Sequence, residues 1–319
     1  MTRSAKTSAS RQHGRTIVEL MVALTIGLVV LGALLLVYLS SSSSGRQTQT
    51  VERMNEDGAV ALHFLASQLR LAGFSYPRIN VPPVSATFNG AQMQLPDRYF
   101  VGAGIRGCDR GFSNAGAAFA DLECASAGTG SAAVAVRFEG DANNTVPTRF
   151  GLATDCGGQT APSAAAATGG GVTYQIVESR FWSRTSSGIG IPELACGGNG
   201  GSSNATANTF SPKPLVQLVE AVALRYGLAE DGTARSSVRF VDAATVDALG
   251  GSVDANWSRV ISVQVCVLVR SEERDNAGGR GYVGCDGQAT VAADGYTRRA
   301  YRTVVALRNR AGFAQGGAG

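Results

Sequence analysis

The feature that most constrains this chain is an apolar run from Ile17 to Leu39 that carries a single charged residue, Glu19. The run is long enough to cross a bilayer as one helix, which requires about 20 apolar residues. A carboxylate inside such a segment is costly in hydrocarbon and usually marks a functional position. The sequence therefore predicts one membrane-spanning helix over residues 17–39, with Glu19 as a candidate functional side chain.

The residues before this run form a processing pattern. A short basic leader ends at Gly14, Arg15 follows, and Glu19 lies five residues after the glycine. The pattern resembles the type III signal of type IV pilins and pseudopilins, although the position after the glycine is usually apolar in that family. The resemblance implies cleavage between Gly14 and Arg15, N-methylation of Arg15, and neutralisation of the Glu19 carboxylate by the α-amine of a neighbouring subunit.

Two other interpretations of the apolar run stay open. A cleaved secretory signal has an apolar region of about 7–15 residues and ends at a small-residue cleavage site. The run here is longer and ends in Ser40–Ser44, without an A-x-A pattern. An ordinary membrane anchor fits the length of the run but gives the Glu19 carboxylate no role.

Charge indicates which part of the chain is exported. Of the 28 Lys and Arg residues, three lie in the leader, so the rest of the chain carries 25 basic and 24 acidic side chains. The leader cations favour the cytoplasmic side, which places everything after Ser40 outside the cytoplasm. We expect a single-pass inner-membrane protein that, as a pilin, later enters the pilus at the cell surface. The near-neutral charge of the exported part argues against a nucleic-acid partner.

The hydrophobic period changes once along the exported part. Apolar residues first repeat at steps of three and four, which predicts an amphipathic helix that continues the membrane helix and stops at Gly73. From Phe74 the period is two, which predicts half-buried antiparallel strands. Residues 140–210, rich in Gly, Ala, Ser, Asn and Thr, suggest long exposed loops. The helical stripe consists of Val51, Met54, Gly58, Leu62, Leu65 and Leu69, with a second, weaker stripe of Val60, Phe64 and Leu71.

These patterns predict an α+β fold, in which a long N-terminal transmembrane and amphipathic helix packs on an antiparallel, β-rich globular domain. The expected boundaries are 1–14 for the leader, 15–73 for the helix and 74–319 for the exported domain.

Six cysteines lie on the exported side. An even number in an oxidising compartment indicates up to three disulfides, and fifteen connectivities are open. We favour pairing of sequence neighbours, because each pair brackets a stretch with turn-prone glycines. No two cysteines have the CxxC spacing of zinc or thioredoxin-like sites. The favoured pairs are Cys108–Cys124, Cys156–Cys196 and Cys266–Cys285.

Catalytic and cofactor motifs are weak or missing. The G-x-G-x-x-G match at 102–107 is followed by a turn, whereas a dinucleotide site needs a helix there. The chain has two histidines, and His63 lies on the polar side of the predicted helix. Acidic loops at 141–144 and 275–286 lack an EF-hand pattern. We therefore predict no enzyme activity, no catalytic residue, no metal site and no cofactor.

Three sequence blocks in the C-terminal half indicate which group of type IV pilins the chain resembles. Residues 219–228 (VEAVALRYGL), 257–271 (WSRVISVQVCVLVRS) and 298–310 (RRAYRTVVALRNR) are similar to PilW-type minor type IV pilins. The arginines of the last block would suit nucleic acid only if they formed an open patch. The resemblance implies an initiation or tip complex, twitching motility and surface attachment. The implied partners are other minor pilins, the major pilin, the prepilin peptidase, the assembly platform and a tip adhesin. The alternative is a GspJ-like minor pseudopilin of type II secretion.

Overall fold

The computed structural model describes residues 16–78, 84–88, 91–95, 100, 102–126, 130–166, 171–201, 212–229, 239–274 and 281–309. The chain divides into two compact units, residues 1–52 and 53–319. The leader 1–14 and Arg15 lie outside the described residues.

The structure contains one long helix and a series of strands. Helix α1 spans Ile17–Leu71, and two short helices follow later, α2 over Ala243–Asp247 and α3 over Val253–Ser258. A 3₁₀ turn covers Phe119–Asp121. The strands are β1 Val84–Phe88, β2 Ala91–Leu95, β3 Ile105–Cys108, β4 Ala133–Gly140, β5 Ser163–Ala165, β6 Thr173–Thr185, β7 Pro192–Gly198, β8 Lys213–Gln217, β9 Val219–Leu228, β10 Arg239–Val241, β11 Val260–Arg274, β12 Gly281–Val283, β13 Ala289–Val291 and β14 Tyr296–Ala306.

Two antiparallel sheets form the globular unit. One has the order β10-β9-β11-β14, and the other has the order β3-β4-β6-β7-β8 with β5 paired to β6. The hairpins β1–β2 and β12–β13 stand apart as two-stranded sheets. The predicted α+β fold is confirmed. The alternation at Val172, Tyr174 and Ile176 predicts a strand, and β6 begins there. The expectation of exposed loops over 140–210 is wrong for β7, because most of β7 is buried in spite of its small residues.

Strand alternation places the core between the sheets and the last part of α1. Val263, Val265, Val267 and Val269 of β11 are fully buried, as the period of two predicts. Most of the predicted helical stripe joins the same core, including Met54, Gly58, Leu65 and Leu69. The second stripe is divided, because Phe64 and Leu71 pack against the core while Val60 is exposed.

Gly58 shows why one position of the stripe is small. A Cβ atom added there would overlap the ring of Tyr301 on β14. The Tyr301 hydroxyl donates to Asn55 Oδ1 at 2.8 Å, which ties the same strand to the helix. Glycine therefore allows the helix to approach the sheet closely.

The helix ends at the predicted glycine. Gly73 has φ 71°, a left-handed conformation that ends many helices. Its N–H donates to Arg137 O at 2.9 Å, and Glu139 N donates to Phe74 O at 2.8 Å. The residues that follow the helix are thus hydrogen-bonded to strand β4.

Leu218 connects the two sheets. It lies between β8 and β9 and is the one non-glycine residue with positive φ (64°) in the described chain. Its N–H donates to Pro192 O at 2.7 Å, and its carbonyl accepts from Arg270 N at 3.0 Å. A left-handed conformation costs a non-glycine residue roughly 1–2 kcal/mol, and hydrogen bonds to both sheets hold it in place.

Candidate assembly site at the start of the helix

Helix α1 begins with an N-terminal cap that includes Glu19. The Glu19 N–H donates to Thr16 Oγ1 at 3.3 Å, and Leu20 N donates to Thr16 O at 3.2 Å. Thr16 and Glu19 have the spacing of a capping box, in which a hydroxyl and an acid stabilise the first turn. A carboxylate in the first turn also interacts favourably with the helix dipole. The cap and the helix dipole therefore offset part of the free-energy cost of placing the Glu19 carboxylate in an apolar segment.

The apolar side chains after Glu19 are exposed around the whole helix. All large hydrophobic residues from Ile17 to Leu39 are exposed, and Val29 is 73% exposed. The most apolar window of α1 has a mean hydropathy of 2.9, and none of that window is buried. Among the described residues, α1 is the one helix long and apolar enough to cross a membrane. Such a surface needs lipid or other apolar helices around it.

The two processing residues belong to the same predicted site. Gly14 and Arg15 lie outside the described residues, so cleavage between them stays a prediction. The first described residue, Thr16, caps the helix.

All six cysteines form disulfides, and they pair in sequence order. Cys108–Cys124 closes the loop after β3, Cys156–Cys196 ties the long β4–β5 connection to β7, and Cys266–Cys285 holds the region after β12 on β11. In the chain-entropy model, each such cross-link stabilises a fold by about 3–4 kcal/mol. These bonds suit a domain exported to an oxidising compartment.

Two buried carboxylates bind irregular loop segments through hydrogen bonds. They were not identified from the sequence. Glu139 accepts hydrogen bonds from Ser75 Oγ (2.5 Å) and Tyr76 N (3.1 Å), and it pairs with Arg78. Asp155 accepts from the backbone N–H groups of Gly157, Gln159 and Gly200 at 2.7–2.9 Å. Because every bond joins the carboxylate to a distant or irregular segment, both side chains stabilise the fold. No short motif in the sequence marks them.

A buried ion pair lies on β6. Arg180 Nη2 is 3.2 Å from Glu178 Oε2 and donates to Ala117 O at 2.8 Å. Burial raises the pKa of the Glu178 carboxyl, and the neighbouring Arg180 and Arg137 oppose that shift. Burial also lowers the pKa of Arg180. The pair fastens the 3₁₀ region to the sheet.

Of the C-terminal arginines, Arg298 is held by carboxylates. Arg298 makes two ion pairs, with Glu220 at 2.6 Å and with Asp294 at 2.6 Å. The hydrogen bond from Arg298 holds the pKa of the Asp294 carboxyl well below its usual range. Arg299 donates to Asn55 Oδ1 at 3.1 Å. Arg310 lies outside the described residues. This arrangement favours a structural role for Arg298 over contact with nucleic acid.

A large cleft lies on the outer face of the four-stranded sheet. It has a volume of about 1370 Å³, and Cys124, Cys266 and Cys285 are among its lining residues. Its four carboxylates all accept hydrogen bonds from backbone amides or from an indole, so each has a partner within the fold. The bonds join Asp109 with Ala243 and Ala244, Asp242 with Thr245, Asp247 with Trp257, and Asp286 with Gln288.

The remaining candidate positions show no assembled metal site. No group of three His, Cys, Asp or Glu side chains converges among the described residues. His63 is exposed on α1. In the loop at 141–144, the Asp141 carboxylate accepts from Asn143 N at 2.7 Å and Asn144 N at 3.1 Å, which makes it a turn-forming residue.

Comparisons with known proteins match two regions of the chain. Residues 180–309 match the family described as Type IV Pilus-assembly protein W, and residues 9–35 match the Prokaryotic N-terminal methylation motif. A type IV-like pilin from Thermus thermophilus is similar in structure, with 13% identity and a TM-score of 0.38 over 81% of this chain and 98% of that one. That likeness is too weak to support an inference. No curated protein matches the chain.

Proposed function

We propose that this chain, which matches the Type IV Pilus-assembly protein W family over residues 180–309 and the N-terminal methylation motif over residues 9–35, is a PilW-type minor pilin that acts in the initiation or tip complex of the pilus. In that role it supports twitching motility and surface attachment. The observation that carries the proposal is the exposed apolar half of α1, with its one carboxylate in the capped first turn. A helix of this kind serves both as a membrane anchor and as the packing surface of a filament subunit.

Glu19 supplies the chemistry of assembly in this proposal. A carboxylate in a bilayer costs at least about 2.5 kcal/mol on insertion scales. The prepilin peptidase cuts between Gly14 and Arg15, and Arg15 is then N-methylated and carries the α-amine. When subunits meet, that amine of one chain faces the Glu19 carboxylate of the next in a low-dielectric setting, where opposite charges attract strongly. Assembly thus relieves a cost that the isolated subunit bears.

The partners follow from the same role. They are the other minor pilins, the major pilin, the assembly platform and a tip adhesin. The protein lies in the inner membrane before assembly and in the pilus afterwards, and it acts as a structural component without catalysis. A GspJ-like pseudopilin would use the same helix, but the match over residues 180–309 favours the pilus.

Substitution of Glu19 tests the proposal. Glu19→Ala and Glu19→Gln should leave membrane insertion intact, because both remove charge from the bilayer. Both should reduce recovery of the other minor pilins in pull-downs and the number of surface pili. Leu24→Ala is the matched control, since it alters an exposed apolar position of the same segment without touching charge. Normal pull-downs and pilus counts in both Glu19 variants would refute the assembly role.

Intact-mass measurement tests the processing step separately. Protein extracted from membranes should begin at a methylated Arg15. A chain that still begins at Met1 would refute cleavage, and it would favour the plain anchor.

A further inference from the structure

Strand β14 forms a long edge of the four-stranded sheet. Its 11 residues pair with β11 on one side, and no described strand pairs with the other side. A free edge presents unpaired N–H and C=O groups and can serve as a template for another strand.

Two hydrogen bonds show which backbone groups point away from β11. Thr297 N donates to Ser271 Oγ at 3.0 Å, and Leu307 N donates to Ile261 O at 2.8 Å, so the odd-numbered residues face β11. Successive residues of an antiparallel strand turn their backbone groups to alternate sides. The outward groups therefore belong to Arg298, Ala300, Arg302, Val304 and Ala306, which are continuously paired in register with β11.

The arginines along this edge differ in whether a carboxylate neutralises them. Arg298 is neutralised by Glu220 and Asp294. Arg299 and Arg302 contact neutral oxygens, Asn55 Oδ1 and Gly284 O, and no described ion pair joins either of them to a carboxylate. Positions 299 and 302 point to opposite faces of the strand, so each face of the edge carries one guanidinium that makes no described ion pair.

These charges argue against a second copy of the chain as the occupant. When β14 pairs with itself about its centre, Arg302 of one copy lies directly or diagonally opposite Arg302 of the other. Like charges at such positions destabilise a pair of strands. A strand with carboxylates opposite Arg299 and Arg302 satisfies both the backbone groups and the charges.

We propose that the outer edge of β14 docks an extended, acidic segment of another polypeptide, which adds a fifth strand to the four-stranded sheet. The identity of that polypeptide as a member of the assembly complex rests on the proposed function. The binding itself is a property of the edge and can be measured on the purified protein.

A synthetic peptide tests the binding. The full chain in detergent micelles is mixed with a short Val-rich peptide that carries two Glu residues three positions apart, the spacing of Arg299 and Arg302, and amide hydrogen exchange is followed. Exchange should slow at Ala300, Arg302 and Val304, whose N–H groups point outwards. A peptide with Lys in place of Glu, and a Val–Glu peptide with every second amide N-methylated, should give no protection. Equal protection by either control peptide, or no protection by the first peptide, overturns the proposal.

Val304 offers a matched pair of variants. Val304→Pro removes one outward N–H and leaves the bonds to β11, because proline is tolerated on edge strands. Its affinity for the acidic peptide should fall about ten-fold, which corresponds to about one lost hydrogen bond. Val304→Thr keeps the N–H and should bind as the parent does. Equal losses in both variants would assign the effect to the side chain and overturn the backbone docking.

Two further outcomes separate this proposal from the proposed function. Protection that rises with protein concentration and without peptide would assign the edge to a second copy and overturn the acidic partner. A normal number of surface pili in cells that carry Val304→Pro would show that docking at the β14 edge is not needed for pilus assembly. Neither result changes the outcome expected for Glu19.

Discussion

The two ends of α1 are both helical, but the side chains of one end are exposed and many of those of the other end are packed in the core. From Ile17 to Leu39 the apolar side chains are exposed, and a Cβ atom added at Gly27 or Gly32 would meet nothing within 4 Å. From Arg53 to Leu71 the helix packs against β14 and the core, and Leu65 and Leu69 are fully buried. Tertiary packing provides most helical stability in folded proteins. The first end is therefore an apolar surface that needs lipid or other apolar helices around it.

Leucine substitutions give the largest expected contrast. Leu65→Ala removes a fully buried side chain and should lower the free energy of unfolding of the globular unit by about 2–5 kcal/mol. Leu24→Ala, at a position that is 59% exposed, should leave it unchanged. Urea unfolding of the full chain in detergent, followed by the fluorescence of buried Trp257, measures both. Equal effects would mean that the two ends do not differ as described.

Glycine substitutions should give an intermediate contrast. Gly58→Val forces the helix away from the Tyr301 ring, and overpacking of this kind costs about 1–3 kcal/mol. Gly32→Val meets open space and should not change the unfolding of the globular unit. The same urea experiment applies. An unchanged midpoint for Gly58→Val would show that the helix does not need its close approach to β14.

Helix caps should give the smallest contrast. Asp242 caps α2 by accepting from Thr245 N at 2.9 Å, and Thr16 caps α1 by accepting from Glu19 N. Asp242→Ala should destabilise the globular unit by about 1 kcal/mol. Thr16→Ala should only speed amide exchange in the first turn of α1, and a change in global unfolding would contradict the comparison.

The contribution of the Asp242 carboxylate to stability also depends on pH. The hydrogen bond to Thr245 lowers the pKa of the Asp242 carboxyl from its ordinary value of 3.8. A carboxyl with a lowered pKa in the folded state adds stability above its unfolded pKa, and that stability is lost as the pH falls through the folded pKa. Asp242→Asn should flatten the acid end of the stability profile, and a profile that keeps its slope would assign the acid sensitivity to other groups.

Local periodicity explains which elements could be predicted. The stop at Gly73, the stripe with Met54 and Leu65, and the alternating valines of β11 all follow from residues that are near each other in the sequence. Strand β7 was missed because its residues PELACGG carry little hydrophobic signal. It is buried because β6 and β8 flank it on both sides.

The sequence by itself determined the apolar helix with its Glu19, the change of period after Gly73 and the even set of cysteines. These are properties of short segments, in which neighbouring residues act together. Only the tertiary structure decided that β14 is an edge, that Leu218 joins the sheets, and that Arg298 is neutralised by Glu220, 78 positions away in the chain. Such contacts depend on which strands become neighbours, and that choice is made by burial and hydrogen bonding across the whole domain.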